Sequence, residues 1–220
     1  LYLSDTVRVT VSDKYRSTSC NSTVTVVDAI APTVVCKNAT VNLNSSGIAS
    51  IVPADVYQSG SDNCGTINLV SVSPSSFDCS DIGNNNVVLT VNDGHGNTAT
   101  CNAVVTIVDN SPPNAVCKNI TGNLPAIPPY TVTISGPQVD GGSTDNCTPN
   151  GLLVFTFDKN TFDCSNIGVN SIVMTVTDQA GNSSTCNATV TIVDNTNPVI
   201  TGSIAATNIE GCNFSAAPAP

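Results

Sequence analysis

Ten cysteines, sixteen acidic residues, one histidine and eight N-x-[ST] triplets are the side chains through which this 220-residue chain can do chemistry. No two cysteines stand in a C-x-x-C arrangement, which removes the zinc-ribbon and dithiol-exchange readings. With His95 alone, mixed Cys/His zinc sites are nearly excluded too. What remains is a disulfide framework, which places the protein outside a reducing cytosol. His95 lies in the string DGHGN, where a solvated turn residue is expected rather than a catalytic base. No nucleophile–base–orienter set accompanies it, nor any G-x-S-x-G, H-E-x-x-H or glycine-rich phosphate loop, so no enzyme is expected.

The aspartates fall into three settings. Asp28, Asp109 and Asp194 sit in V-D strings followed by proline; Asp62, Asp140 and Asp145 lie in or near two D-N-C strings; Asp93 and Asp178 open D-x-x-G-N turns. A hard cation needs several oxygens, and a junction Asp with a loop Asp from the next unit can supply them, which makes Ca2+ the ligand to consider. EF-hand and RTX spacings are absent, and the competing reading is that these carboxylates satisfy turn backbones. No other cofactor is required. Candidate glycosylation sites stand at Asn21, Asn38, Asn44, Asn119, Asn146, Asn182, Asn187 and Asn213, although a chain this rich in Ser, Thr and Asn generates such triplets by chance.

Charged residues make up only 10% of the chain, against about 25% in ordinary soluble domains. The net charge of −10, with six basic residues in all, argues against nucleic acid as a partner. No apolar run approaches the roughly 18 residues of a membrane span, and no signal-peptide pattern opens the chain, which reads as a mature piece of something longer.

The positions of these groups repeat. Cys36 to Cys117 is 81 residues, Cys64 to Cys147 is 83, and Cys79 to Cys164 and Cys101 to Cys186 are both 85. PTVVCKNATVNL recurs as PNAVCKNITGNL, GSDNC as STDNC, and SFDCSDIGNN as TFDCSNIGVN. Two complete units result, 29–109 and 110–194. Residues 1–28 read as the terminal hairpin of a preceding repeat, and 195–220 as the start of a following, divergent repeat or a donated strand segment. Repetition at this length indicates an array of domains rather than one large core.

Each unit reads as all-β. Val87, Leu89 and Val91 alternate with Val88, Thr90 and Asn92, and Ile172, Met174 and Val176 alternate likewise, as strands with one buried face do. The D-x-x-G-N strings at 93–97 and 178–182 join these strands to 100–108 and 185–193 as hairpins. Prolines punctuate the remainder, and no sustained helical periodicity is present. Tandem immunoglobulin-like β-sandwiches joined by short Pro-containing junctions are expected, forming a semi-rigid rod.

The P-x-x-x-C opening, the DNC loop, the T-x-D-x-x-G-N turn and the closing T-C-x-A-x-V-T-[IV]-V-D strand resemble hyalin-repeat (HYR) modules, notably the tandem cysteine-rich ones of bacterial surface and secreted adhesin-like proteins. The resemblance covers about residues 1–198. It implies extracellular, immunoglobulin-like modules concerned with adhesion and with holding other domains away from a surface. The chain departs from the pattern in its added DNC/FDC cysteines and in Gly202, which stands where a leading cysteine belongs. With strand order, the resemblance implies Cys36–Cys101 and Cys117–Cys186 bridges to the terminal hairpin, and Cys64–Cys79 and Cys147–Cys164 bridges closing mid-domain loops. This is one of the three connectivities open to each set of four cysteines. In the chain-entropy account the longer loops contribute about 4 kcal/mol and the shorter about 3 kcal/mol.

Cys20 and Cys212 are left over. Either their partners lie in adjoining repeats of a longer array, or one chain's C-terminal segment completes the N-terminal hairpin of the next copy, head to tail. The expected function is a structural extracellular rod, part of a cell-surface filament, stalk or adhesin shaft, with copies or repeats of itself as neighbours. The alternative is a carbohydrate- or protein-binding accessory module of a larger secreted adhesin or enzyme; the absence of Trp weakens the carbohydrate version.

Overall fold

The structure, a computed structural model, describes residues 3–197. Cys212 and Asn213, and the segment from 198 onward, lie outside the described residues.

The chain is all-β. A hairpin of β1 (Leu3–Ser12) and β2 (Ser17–Val26) comes first. The first module follows: β3 (Thr33–Cys36), β4 (Ala39–Asn42), β5 (Ile48–Ser50), α1 (Pro53–Val56), β6 (Tyr57–Ser61), β7 (Asn68–Ser73), β8 (Ser76–Asp78), β9 (Gly83–Asn92) and β10 (Thr98–Val108). The second contains β11 (Ile120–Asn123), β12 (Val132–Thr133), α2 (Gly136–Val139), β13 (Val154–Phe157), β14 (Thr161–Phe162), β15 (Gly168–Thr177) and β16 (Ser183–Val193).

The main sheets have the same order, β4-β10-β9-β7 and β11-β16-β15-β13. In each the first strand runs parallel to the last long strand and the remaining pairs are antiparallel. In the first module β3–β6 and β5–β8 supply the facing layer. In the second that layer is thinner, being β12–β14 plus isolated bridges at Asn114↔Thr144 and Cys117↔Asp140. A C–F–G-type sheet closed by a parallel edge strand, facing a smaller layer, is an immunoglobulin-like sandwich.

The cores come from the period-two pattern. Val87, Leu89, Val91, Val105 and Ile107 are wholly buried in the first module, where Val56, Val72 and Phe77 pack against them. Met174, Val176, Val190 and Ile192 are their counterparts in the second, packed with Val139 and Phe162. Two one-turn helices, α1 and α2, interrupt the strands where continuous extended chain was expected. Each opens on a residue near a proline that favours the first helical turn, and a side chain three residues on closes it: Asp55 accepts the Val52 N–H at 2.7 Å, and Gln138 accepts that of Ser135 at 2.8 Å.

The hairpin β1–β2 aligns with β9–β10, and its valines occupy the same positions as the core. Val9 is 50% exposed and Val26 63%, whereas their equivalents Leu89 and Ile107 are fully buried. The difference is one of partners: among the described residues, β1–β2 is a two-stranded sheet without the flanking strands that β4 and β7 provide to β10 and β9.

Three disulfides are present. Cys36–Cys101 and Cys117–Cys186 each tie the start of a module to its last strand, with Cα separations of 5.8 and 5.7 Å. The third joins Cys79 to Cys147, across the module boundary. The expected Cys64–Cys79 and Cys147–Cys164 bridges are therefore not formed. The reason is position: Cys64 sits with Asp28 and His95 at the upstream end of its module, whereas Cys79 sits beside Gly47 and Asp109 at the downstream end. In the first module the two halves of the DNC/FDC pair thus lie at opposite ends. Cys20, Cys64 and Cys164 are exposed and unbonded among the described residues.

Candidate functional site at the repeat junction

Five pieces of chain meet where the first module passes into the second. Strand β10 ends at Val108, and Asp109 begins the connection that runs through the two prolines 112 and 113. The β15–β16 turn contributes Asp178 and Asn182. The loop after α2 contributes Asp145, Asn146 and Cys147. From the first module come the 44–47 loop and Cys79.

Asp109 is 5% exposed. Its Oδ1 accepts the Ser111 N–H at 3.0 Å and the Asn146 side-chain amide at 3.4 Å; its backbone carbonyl accepts the Asn182 amide at 3.0 Å. Its Oδ2 is buried and has no partner. Asp145 Oδ2 accepts the N–H groups of Cys147 and Thr148 at 2.9 and 2.7 Å, while its Oδ1 is likewise buried and unpartnered. Asp178, 4% exposed, accepts the backbone and side-chain N–H groups of Asn182 at 2.7 and 2.9 Å. Oxygens of these three carboxylates lie within 4.8 Å of one another. At that spacing each pair of full charges repels by about 3–4 kcal/mol at an effective dielectric near 20. No Lys or Arg forms a salt bridge with them among the described residues.

The same positions recur one repeat upstream. Asp28 Oδ1 accepts the Ile30 N–H, its carbonyl accepts the Asn97 amide, and its Oδ2 is buried without a hydrogen bond. Asp62 Oδ2 accepts the Cys64 N–H and leaves Oδ1 buried and unpartnered. Asp93, 2% exposed, accepts N–H groups from His95 and Asn97. Burial pushes the Asp93 carboxyl up, but hydrogen bonds from the Asn97 side chain and the two backbone N–H groups outweigh it and hold the pKa below the usual value. His95 is not the solvated turn residue expected: its Nδ1 stands 3.5 Å from Asp28 Oδ2, with the ring four-fifths buried. Alanine 180 takes its place at the downstream junction.

Of the aspartates singled out by sequence, the structure thus groups Asp109 with Asp145 and Asp178, and Asp28 with Asp93 and His95; the Asp62 loop packs beside the latter group, Gly65 lying against the Asp93 carbonyl. Asp140 and Asp194 stand apart. Asp140 holds its own loop, accepting the Gly142 and Ser143 N–H groups, and burial is again outweighed by these bonds, headed by Ser143, in setting a lowered pKa. Asp194 accepts from the Thr196 hydroxyl and N–H, which lower its pKa in that order.

Sequence reasoning did not single out Gly47. With φ at +71°, it lies under the inter-module disulfide, where an added Cβ would stand 2.6 Å from Cys79 Sγ and 2.9 Å from the Asn146 carbonyl. Its only sequence signal is a glycine after N-S-S, which reads as an ordinary turn. The cross-boundary pairing itself carries no spacing signal, because counting cysteines is satisfied equally by bridges within or between modules.

The candidate glycosylation sites divide by what their amides do. Asn146 and Asn182 direct their side-chain NH2 groups into the junction, so the nitrogen that would carry a sugar already donates there. Asn21, Asn38, Asn44, Asn119 and Asn187 are exposed. In Asn38 and Asn119 the side-chain oxygen accepts the Val104 and Thr189 N–H groups.

No helix among the described residues is long and apolar enough to cross a membrane. No curated protein is similar in sequence to this chain at a significant level. Among solved structures, the chain resembles a protocadherin gamma B3 EC1-4 fragment (13% identity, TM-score 0.38, covering 86% of this chain and 57% of that one). It also resembles mouse clustered protocadherin gamma C3 EC1-3 (15%, TM-score 0.35, 88% and 77%) and human mucin-like protocadherin EC1-2 (13%, TM-score 0.40, 74% and 98%). In sequence, residues 27–107, which span the first sandwich, match the HYR domain.

Proposed function

We propose that this chain is a segment of an extracellular structural rod built of tandem HYR-like sandwiches, the shaft of a surface filament, stalk or adhesin. The observation that carries the reading is the Cys79–Cys147 disulfide, which bonds one repeat to the next rather than closing a loop within a repeat. The bond resists bending and separation at the joint, which is what a shaft requires. The prolines 112 and 113 and the buried contacts around Asp109 act in the same direction.

The repeat extends the argument to the exposed cysteines. Cys164 is equivalent to Cys79, and Cys64 to Cys147, so each is half of the same staple. Their partners are the DNC cysteine of a following repeat and the FDC cysteine of a preceding one. The half-exposed valines of β1–β2 support the same conclusion, because they need the remaining strands of a sandwich to cover them. Those strands come from an adjoining repeat of the same chain or from a neighbouring copy, joined head to tail.

Mass-spectrometric mapping of unreduced native material, with a non-reducing gel, tests the reading. It requires a Cys79–Cys147 cross-linked peptide and Cys64 and Cys164 in bonds to peptides of other repeats. A ladder that collapses on reduction identifies separate copies as the source; bonds to further sequence of the same polypeptide identify a longer array. Recovery of Cys64–Cys79 and Cys147–Cys164 peptides would overturn the proposal.

A further inference from the structure

We propose that the junction cluster of Asp109, Asp145 and Asp178 is a Ca2+ site that clamps the end of one repeat to the head of the next. Asp109 belongs to the connection leaving β10; Asp145 and Asp178 belong to two loops of the second module. A cation held by all three ties the linker to the module that follows it. This deepens the structural reading above and rests on it for its purpose, though not for its chemistry.

Three observations point to an ion rather than to turn-forming aspartates. The Asp109 side chain is more than nine-tenths buried, yet its Oδ2 meets no donor at all, and Asp145 Oδ1 is in the same condition. A buried carboxylate oxygen without a donor is costly, and two in one cluster share a single remedy. Asn146 Oδ1, whose amide lies against Asp109, is a third buried oxygen without a partner. Second, the described residues place no basic side chain in a salt bridge with the cluster to balance three carboxylates converging within 4.8 Å. Third, buried carboxylate oxygens without a hydrogen bond recur at the equivalent positions one repeat upstream, on Asp62 and on Asp28, the latter with His95 Nδ1 3.5 Å away. A chance defect of packing would not repeat at both joints.

The donor set selects the metal. All donors at the downstream junction are oxygens, charged or amide, and the two nearby sulfurs of Cys79 and Cys147 are locked in a disulfide. Hard cations suit such a set, and irregular carboxylate and carbonyl ligands from several loops suit Ca2+ better than the strict octahedron of Mg2+. Water and further carbonyls complete the six to eight oxygens that Ca2+ takes. An affinity in the range of about 0.1–1 mM, usual for extracellular modules, is expected.

The test uses the oxidised 220-residue chain stripped with a chelator and dialysed. Calorimetric titration with CaCl2 should show saturable binding, and Ca2+ should raise the melting temperature and slow reduction of Cys79–Cys147 by a phosphine at least severalfold. Asp145→Asn and, separately, Asp178→Asn should weaken binding at this junction at least tenfold. Asp140→Asn, outside the cluster, should leave it unchanged. Should one junction variant fold poorly, the reduction rate of the unmodified chain with and without Ca2+ still decides, because it needs no substitution. A chain that neither takes up Ca2+ nor changes its reduction rate overturns the site, as does Ca2+ protection of Cys79–Cys147 from reduction that survives both variants. Mg2+ binding as tightly as Ca2+ overturns the choice of ion. Disulfide mapping of the same sample separates this failure from that of the rod reading: an intact Cys79–Cys147 bond without Ca2+ uptake removes the site alone.

Discussion

Replacing Cys79 and Cys147 together by serine removes the staple while leaving both intramodular bridges in place. The bond closes 68 residues of sequence, and neither Cys36–Cys101 nor Cys117–Cys186 offers a shorter route between its ends. If the first module unfolds while the second stays folded, the newly freed stretch runs from Cys79 to the linker at Asp109, 30 residues. The chain-entropy account then gives roughly 3–4 kcal/mol of stabilisation from the staple for either module, and about 4 kcal/mol when both unfold. In an 81-residue unit, 1 kcal/mol corresponds to about 4–8 °C, so the double variant should melt roughly 15–25 °C below the parent. Calorimetry without reductant is the assay. The bond also couples the two units, so the parent should melt in one transition and the variant in two. A variant that melts within about 3 °C of the parent would show that the modules are held by their interface alone, and the mechanical role assigned to the bond would fall.

Other substitutions test the joint and the cores separately. Gly47→Ala places a methyl group against Cys79 Sγ and the Asn146 carbonyl in left-handed backbone and should cost about 1–3 kcal/mol in urea denaturation, whereas Gly151→Ala, with nothing within 4 Å, should stay within about 0.5 kcal/mol. Leu89→Ala, at a fully buried position, should lower the stability of the first module by about 2–5 kcal/mol, while Val88→Ala on the opposite face of the strand should change little. The Ser80 hydroxyl and then its N–H hold the Asp78 carboxyl below its ordinary value, and Ser165 does the same for Asp163. Because the folded-state values are depressed, the stability these groups add is complete above the unfolded value near 3.8 and is lost as pH falls through the folded ones. Carboxyl-carbon NMR titration should find both midpoints below 3.8, and Ser80→Ala should raise that of Asp78 alone.

The sandwich was legible because its determinants are local and periodic. Alternation in 87–91 and 172–176, two D-x-x-G-N turns and an 81–85-residue period are enough to lay out strands, hairpins and modules. The junction was half legible. Asp28, Asp62, Asp109 and Asp145 stand out as repeated acids in loops, but which of them meet depends on how one module is seated on the next, and no periodicity encodes that. Asp140 shows the limit: it has the composition and location of a ligand, yet the N–H groups of its own loop occupy it. The pairing of the DNC and FDC cysteines failed for a related reason. Pairing within the repeat is the economical inference when modules are treated as self-contained, and Cys79 and Cys147 are the residues through which they are not.

Between the two repeats, changes are few both in the core and at the joint, and each kind has its own physical reason. At the core, Val87 and Leu89 become Ile172 and Met174, swaps that a close-packed interior absorbs when volume and polarity are kept, while Val91, Val105 and Ile107 recur unchanged as Val176, Val190 and Ile192. At the joint, Asp93 with Asn97 reappears as Asp178 with Asn182, each Asn again donating to the carbonyl of the junction aspartate, Asp28 or Asp109. An amide placed on that carbonyl, a carboxylate facing inward and a sulfur reaching the next module each have few chemical substitutes. The changes within the joint are correspondingly informative. Where Ala180 stands downstream, the upstream cluster has the His95 ring, its Nδ1 3.5 Å from Asp28 Oδ2, and the downstream cluster keeps oxygens only. The two joints therefore differ in donor chemistry, with a nitrogen among the upstream carboxylates and none among the downstream ones.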